Sequence, residues 1–382
     1  MPGTRCDIAV AGGGLVGLSL AYELACLGLA VTVIDAGFPG RATDAGAGIL
    51  SPGTTTDPDD QWWEFVLACG RHYPALLARL EADGADTAAA HYAVCGILSL
   101  VLRAHEEEWF APFAELVLRR SSGDVGEVAS DEARGLFPPL GPVYRALHHP
   151  GAARVDGRGM AVALKQATEA RGVRFLQGEV CGVSEDVGRR QVIRSVLIDG
   201  QVEVACEGLA VAGGAWSADM GDFLGASLPI GPTRGQIVHL GVEAETGEWP
   251  IAQPLLTHYL VPWPGGRVAC GGTFEPEAGF EARVTAAGLH ELLRECLTVA
   301  PGLAGAEHLS TRVGLRPTSV DDRPVVGPVP GWSNAWVVSG HGANGLLQGP
   351  YSARVLAHTI AGADLGPDEP ALPDSCRPSR FA

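Results

Sequence analysis

Apolar and polar positions along the chain fall into repeated strand–turn–helix pieces. Ile8 to Ala11 is a short apolar strand, Leu15 to Leu27 carries apolar residues at helical spacing, and Gly28 stops that helix. Val31-Thr32-Val33-Ile34-Asp35 is a β-branched run that closes a βαβ unit of about thirty residues. Arg41 to Pro58 is rich in Gly, Ala, Thr and Pro and holds no regular element in this reading. Trp62 to Leu80 returns to helical spacing, Val94 to Leu102 reads as a strand, and a helix with an acidic face follows around Glu106-Glu107-Glu108.

The middle of the chain repeats the α/β character. A helix from Gly159 to Ala170 ends at Gly172 and leads to a strand from Val173 to Leu176. A meandering β region from Val180 to Val204 precedes a buried strand, Gly208 to Ala212, which enters Gly213-Gly214. Residues 228–274 read as short strands separated by Pro and Gly. Thr285 is an N-cap for a helix whose apolar stripe is Leu289, Leu292, Leu293, Cys296 and Leu297. A last strand, Ala335 to Ser339, feeds a Gly-rich turn and a helix from Leu346 to Ile360, and the Pro-rich tail after Gly362 reads as loose. The pattern predicts one α/β domain interrupted twice by a β-rich one.

Composition narrows the function. The 382 residues are 46% apolar, which excludes a disordered chain, and the length suggests two or three domains. A net charge of −17, with Lys165 the sole lysine, opposes nucleic acid and anionic membranes as partners. Nine scattered cysteines without a C-x-x-C pair predict reduced, mostly buried thiols. His148, His149 and His239 lack ligand spacing to Cys or carboxylates, so no metal is expected. The chain runs directly into its first strand without a signal-peptide segment, and Glu23 and Gly28 interrupt the apolar stretch from Leu15 to Ile34. A cytoplasmic protein without a membrane span is expected.

The strongest chemical signal is Gly12-x-Gly14-x-x-Gly17 between the first strand and helix. Gly12 permits the tight turn, Gly14 admits a pyrophosphate, and Gly17 allows close helix–strand packing. Leu15 and Val16 begin a helix whose amides and dipole favour phosphate. Asp35 follows at the end of the second strand, 23 residues after Gly12, where a carboxylate accepts bonds from ribose hydroxyls. An acid there disfavours a 2′-phosphate, leaving FAD or NAD.

Ala45-Gly46-Ala47-Gly48-Ile49-Leu50-Ser51-Pro52, Val155-Asp156, Ala212-Gly213-Gly214-Ala215-Trp216-Ser217 and Thr233-Arg234-Gly235-Gln236 match, in order, segments of the D-amino-acid oxidase superfamily. Tyr259-Leu260-Val261-Pro262, Gly271-Gly272-Thr273-Phe274-Glu275, Gly314-Leu315-Arg316-Pro317 and Gly340-His341-Gly342-Ala343-Asn344-Gly345 continue the series. The chain thus resembles this superfamily, and most of all its glycine oxidase branch, which includes thiazole-biosynthesis oxidases. The resemblance implies an α/β fold: a Rossmann-like FAD-binding domain (1–90, 146–220 and 312–382) interleaved with a β-rich α+β substrate domain (91–145 and 221–311).

By the same resemblance, Arg41 and Thr43 lie beside the ribose and pyrophosphate, and Ala47, Gly48 and Ile49 line the flavin. Val180 meets the adenine side, with Ala212, Gly213 and Trp216 as further cofactor contacts. The turn Gly342, Ala343, Asn344, Gly345 and Leu346 meets the pyrimidine edge, and Arg316 touches both cofactor and substrate. The implied reaction moves hydride from an amino acid or related amine to flavin N5. It yields an imine, then an oxo acid plus amine or ammonia, with oxygen as acceptor and hydrogen peroxide released. A dehydrogenase or 2-hydroxy-acid oxidoreductase of the same fold is the alternative.

The resemblance also implies that Arg316 anchors the substrate carboxylate, a role its guanidinium fork suits; an ion pair with Asp321 or Asp322 is the competing reading. By the same resemblance Tyr259 matches an active-site tyrosine whose hydroxyl shares that load; a strand tyrosine packed at a domain edge is the competing reading. His341 reads equally as a flavin neighbour or a structural histidine, and Trp62-Trp63 as core beside a loop, Thr54 to Asp60, that covers the site. No Cys near 314–317 is available for flavin attachment, so FAD is expected to bind non-covalently. Many glycine oxidases carry Arg where this chain has Ala343. That change removes a charged wall and predicts larger or N-substituted substrates in place of glycine.

Overall fold

The N-terminal βαβ unit forms as read. In the computed structural model, which describes residues 5–121, 123–186 and 189–382, Cys6–Ala11 and Val31–Asp35 pair in parallel around the helix Leu15–Cys26. Both strands are almost wholly buried, as continuous apolar runs in a parallel sheet must be. Val31–Asp35 pairs onward with Arg174–Gln177. On the other side, Cys6–Ala11 pairs with the second half of Val202–Val211, which in turn pairs in parallel with Ala335–Ser339.

The first half of Val202–Val211 belongs to an antiparallel meander with Val180–Asp186 and Arg189–Ile198. Leu15–Cys26, Asp60–Ala82, Gly157–Ala170 and Gly345–Ala361 pack together on the sheet through Leu18, Tyr22, Phe65, Tyr73, Leu164 and Tyr351.

A second sheet of eight strands runs in the order Glu307–Ser319, Ile230–Gly241, Arg267–Gly271, Tyr259–Trp263, Ile251–Pro254, Ile97–Val101, Arg145–His149 and Gly126–Val128. The helix Ala286–Val299 covers one face, burying Leu292, Cys296 and Val299 against Val238, Leu260 and Val268. Its predicted cap is present: the Thr285 hydroxyl accepts from the Gly288 amide at 3.1 Å. The expected domain limits at 145/146 and 311/312 fall inside strands of this sheet, Arg145–His149 and Glu307–Ser319.

Three readings are corrected. Val94 to Leu102 is not one strand, because Gly96 turns at φ +79°. Ala93–Val94 pairs with Ala153–Arg154, while Ile97–Val101 joins the large sheet. Arg41 to Pro58 does contain regular pieces, a helical turn Ala42–Ala45 and a short strand Ile49–Leu50. Small residues there serve close approach rather than irregularity.

The tail after Gly362 is not loose. Glu369 pairs with Arg354 at 2.7 Å, Tyr351 donates to the Pro370 carbonyl at 2.8 Å, Arg380 pairs with Asp321 at 2.7 Å, and Cys376 is fully buried. These partners are far away in sequence, so composition alone misjudges the segment. Among the described residues no helix is long and apolar enough to cross a membrane.

Candidate active site

The carboxyl ends of the parallel strands open on a cavity of about 690 Å³, roofed by the second sheet. Clefts at strand ends are where open α/β sheets bind ligands. Three Gly-rich turns reach it, after Cys6–Ala11, after Val202–Val211 and after Ala335–Ser339. Gly12, at φ +116°, abuts the Ala212 carbonyl, so a side chain there would collide with backbone. Gly17 packs against Gly12 and does not line the cavity, in keeping with its packing role. The amides opening the helix at Leu15 lack intrahelical partners by geometry. The Leu15 amide donates to the Thr43 hydroxyl at 3.0 Å.

Asp35 lines the cavity, ion-pairs with Arg41 and accepts from the Gly37 amide at 3.3 Å. Ala47, Gly48, Ile49, Val180, Ala212 and Gly213 form further wall. Trp216 is stacked between Phe38 and Phe280, with ring centroids 5.1 and 5.5 Å away. Sequence reading singled out neither phenylalanine, because no local period marks a pair that meets only in the fold. Gly342 through Leu346 line the third turn, where Ala343 is exposed to open space.

Gln348, one turn into the helix Gly345–Ala361, is only 4% exposed and lines the cavity. Its carboxamide finds no partner among the described residues. With no protein partner among them, this amide is available to a polar ligand in the cavity.

Arg316 and Tyr259 converge under the roof. The Arg316 guanidinium donates to the Thr273 carbonyl at 2.8 Å and has no acidic partner among the described residues; Asp321 is taken by Arg380. A Cβ added at Gly272 would lie 2.9 Å from Arg316 Nη2 and 3.1 Å from Tyr259 Oη, so both groups crowd one peptide. Burial pushes the Tyr259 phenol up to about 12, with the Arg316 charge working against it. His341 is buried, its Nε2 lies 3.1 Å from the Ser352 hydroxyl, and burial holds it down to about 4. It enters the wall as a neutral ring.

Trp62 lines the cavity beside Thr54 and Thr55, whereas Trp63 lies under Arg120 at 4.9 Å. The intervening loop is held by Arg120, which donates to the Asp57 carbonyl at 2.6 Å, and by an Arg323–Asp57 ion pair.

A Gly-lined cleft at parallel strand ends, an acid at the second strand and a β-sheet roof with a free guanidinium define a dinucleotide-dependent oxidoreductase. The chain belongs to the FAD-dependent oxidoreductase family, whose model matches residues 7–359. It is 35% identical over 374 residues to an uncharacterized oxidoreductase of Bacillus subtilis, covering 95% of this chain and 98% of that one. Glycine oxidase of Pseudomonas aeruginosa is 30% identical over 371 residues, with 94% and 95% covered. The crystal structure of iminodiacetate oxidase from Chelativorans sp. BNC1 superposes with a TM-score of 0.86 at 34% identity, covering 96% of this chain and 98% of that one. FAD is the cofactor of this family, and the glycine cradle and the unpartnered Gln348 amide fit it.

Proposed function

We propose that the protein oxidises a carboxylate-bearing amine, an amino acid or N-substituted glycine, with glycine itself not preferred. One observation carries the reading: a guanidinium without an acidic partner, fixed by the Thr273 carbonyl, beside a neutral phenol at the roof of the cavity. Arg316 binds the substrate carboxylate through its fork, and Tyr259 shares that load as a donor. Gly12, Gly14, Leu15, Val16, Asp35, Arg41 and Thr43 hold the adenosine and pyrophosphate without a covalent link, with Val180, Ala212 and Gly213 alongside. Ala47, Gly48, Ile49, Trp216 and the turn from Gly342 to Leu346 hold the ring end.

Bound FAD supplies the two-electron acceptor that takes hydride at N5. The protein orients the substrate C–H and supplies no base from Tyr259 or His341, neither of which titrates near neutral pH. The amine therefore reacts in its neutral form, and kcat/KM rises with pH toward the amine's own pKa. The imine leaves to be hydrolysed to oxo acid plus amine or ammonia. With oxygen as acceptor, hydrogen peroxide accompanies it.

The open wall at Ala343 favours a substituted nitrogen. The 34% identical relative is named for iminodiacetate, which is glycine bearing a carboxymethyl group on nitrogen. Anaerobic mixing of the holoenzyme with glycine, sarcosine, iminodiacetate, D-alanine and 2-hydroxy acids, then admission of air with peroxide detection, tests the reading. Bleaching by amines followed by peroxide release is expected. Bleaching by hydroxy acids alone overturns it, and glycine winning the kcat/KM comparison ends the preference for N-substitution.

A further inference from the structure

The cavity roof carries a polar side chain that the reaction as proposed does not use. Ile251–Pro254 runs antiparallel to Tyr259–Trp263 with Ala252 opposite Leu260. That register sets Gln253 opposite Tyr259, and opposed residues project from the same face of a sheet. Both line the cavity. The Gln253 carboxamide makes no hydrogen bond among the described residues, although it sits half-buried in a strand. Of the arginines lining the cavity, Arg41 is committed to Asp35, which leaves Arg316 as the cation for one carboxylate.

The spacing of these groups suits a longer substrate. Arg316 and Tyr259 meet over the Gly271-Gly272 peptide, and Gln253 stands one strand beyond Tyr259. Two strand spacings of about 4.8 Å separate the Gly271-Gly272 peptide from Gln253, about 10 Å in all. A hydrogen bond of about 3 Å at each end and about 5 Å of substrate together span that distance. In an N-(carboxymethyl)glycine the two carboxylate carbons are four bonds apart, about 5 Å when extended. A substrate anchored on Arg316 thus presents its second carboxylate beside an amide donor that the protein leaves free.

We infer that Gln253 determines specificity by donating its carboxamide N–H to a carboxylate at the far end of the substrate's nitrogen substituent. A neutral donor suits this task, because it forms a charge-assisted bond without a second buried cation. The inference rests on the proposed anchoring at Arg316 and adds the substrate class: N-substituted glycines ending in a carboxylate rather than in a methyl group.

The test compares matched pairs on wild-type holoenzyme, Gln253→Leu, Gln253→Asn and Gln253→Glu. Iminodiacetate against N-ethylglycine gives a kcat/KM ratio. Glutarate against pentanoate, neither oxidisable, gives a Kd ratio read from flavin absorbance and thermal melting. In wild type both ratios favour the dicarboxylate by about tenfold or more. Gln253→Leu brings both near unity, and Gln253→Glu inverts them by repulsion. Gln253→Asn, with a shorter reach, keeps part of the wild-type preference.

Ratios that match wild type in the Leu variant overturn the role of Gln253. So does a wild-type preference for N-ethylglycine and pentanoate. If no carboxylate-bearing amine bleaches the wild-type flavin and pentanoate fails to bind, the anchoring at Arg316 fails instead. The two failures are therefore distinct.

Discussion

Gly235 offers a sharper probe of the anchor than removing Arg316 itself. It lies in the strand Ile230–Gly241, opposite Gly314, and a Cβ built on it would lie 2.5 Å from the Arg316 guanidinium carbon. Ordinary contact begins near 3.4 Å, so Gly235→Ala must push the guanidinium aside by about 1 Å. The obstructing atoms are the far end of a flexible side chain, and Gly235 has no positive φ, so the strand and the fold tolerate the methyl.

The substitution should therefore cost little in Tm or FAD affinity. A 1 Å misplacement of a positioning group costs about a hundredfold in rate, or about 2.7 kcal/mol of transition-state binding. Stopped-flow reduction of the holoenzyme flavin by sarcosine measures that loss, and a melting curve with FAD release controls for folding. Wild-type kcat/KM in Gly235→Ala would show that Arg316 does not hold the substrate. A collapse of Tm would show that the strand, rather than the guanidinium, yields.

Three further outcomes are expected. Arg316→Lys keeps the charge but loses the fork, and should cost carboxylate substrates about 1.5–3 kcal/mol in kcat/KM while simple amines lose less. Gln348→Leu should weaken FAD binding by about fivefold or more in Kd with little change in the Tm of the apoprotein, since its amide faces the cavity and has no partner to lose among the described residues; fluorescence titration and apoprotein melting separate the two readouts. Glu369, drawn down to about 2 chiefly by its bonds to Arg354, stabilises the folded tail above the usual carboxylate range and loses that effect as pH falls toward 2. Glu369→Gln should therefore lower Tm at pH 7, and its gap from wild type should close between about pH 5 and 2.

The cofactor cradle was legible in the sequence because its determinants are local. The Gly12 turn, the helix it opens and Asp35 span one βαβ unit, and each sits where a single period or turn rule places it. Arg316 and Tyr259 were reached through family resemblance; nothing in strand periodicity distinguishes them from other roof residues. Phe38, Phe280, Gln253 and Gln348 escaped notice because each gains meaning from a partner, or a missing partner, across the cavity. The same holds for the tail, whose Pro-rich composition gives no sign of Arg354 or Asp321. Gly96 is the opposite case: the breaker was visible, but the apolar residues around it outweighed it.

The strand Glu307–Ser319 ties the roof, and Arg316 with it, to the segment that follows the first βαβ unit. The Leu315 amide donates to the Gly40 carbonyl at 2.8 Å, which places it in a bridge with the segment carrying Arg41. Beside it, Gly314 approaches the helical turn Ala42–Ala45 so closely that a Cβ there would lie 2.9 Å from the Ala45 methyl. Arg316 directly follows Leu315. The loop that pairs with Asp35 thus also fixes the backbone beside the guanidinium, without a flexible side chain in between. A bulkier residue at 314 would meet the Ala45 methyl, separate the sheets at this seam and move Arg316 with them. Backbone packing thus sets the spacing of the two sheets at this seam, which is why small residues on both sides of it matter to the position of the arginine.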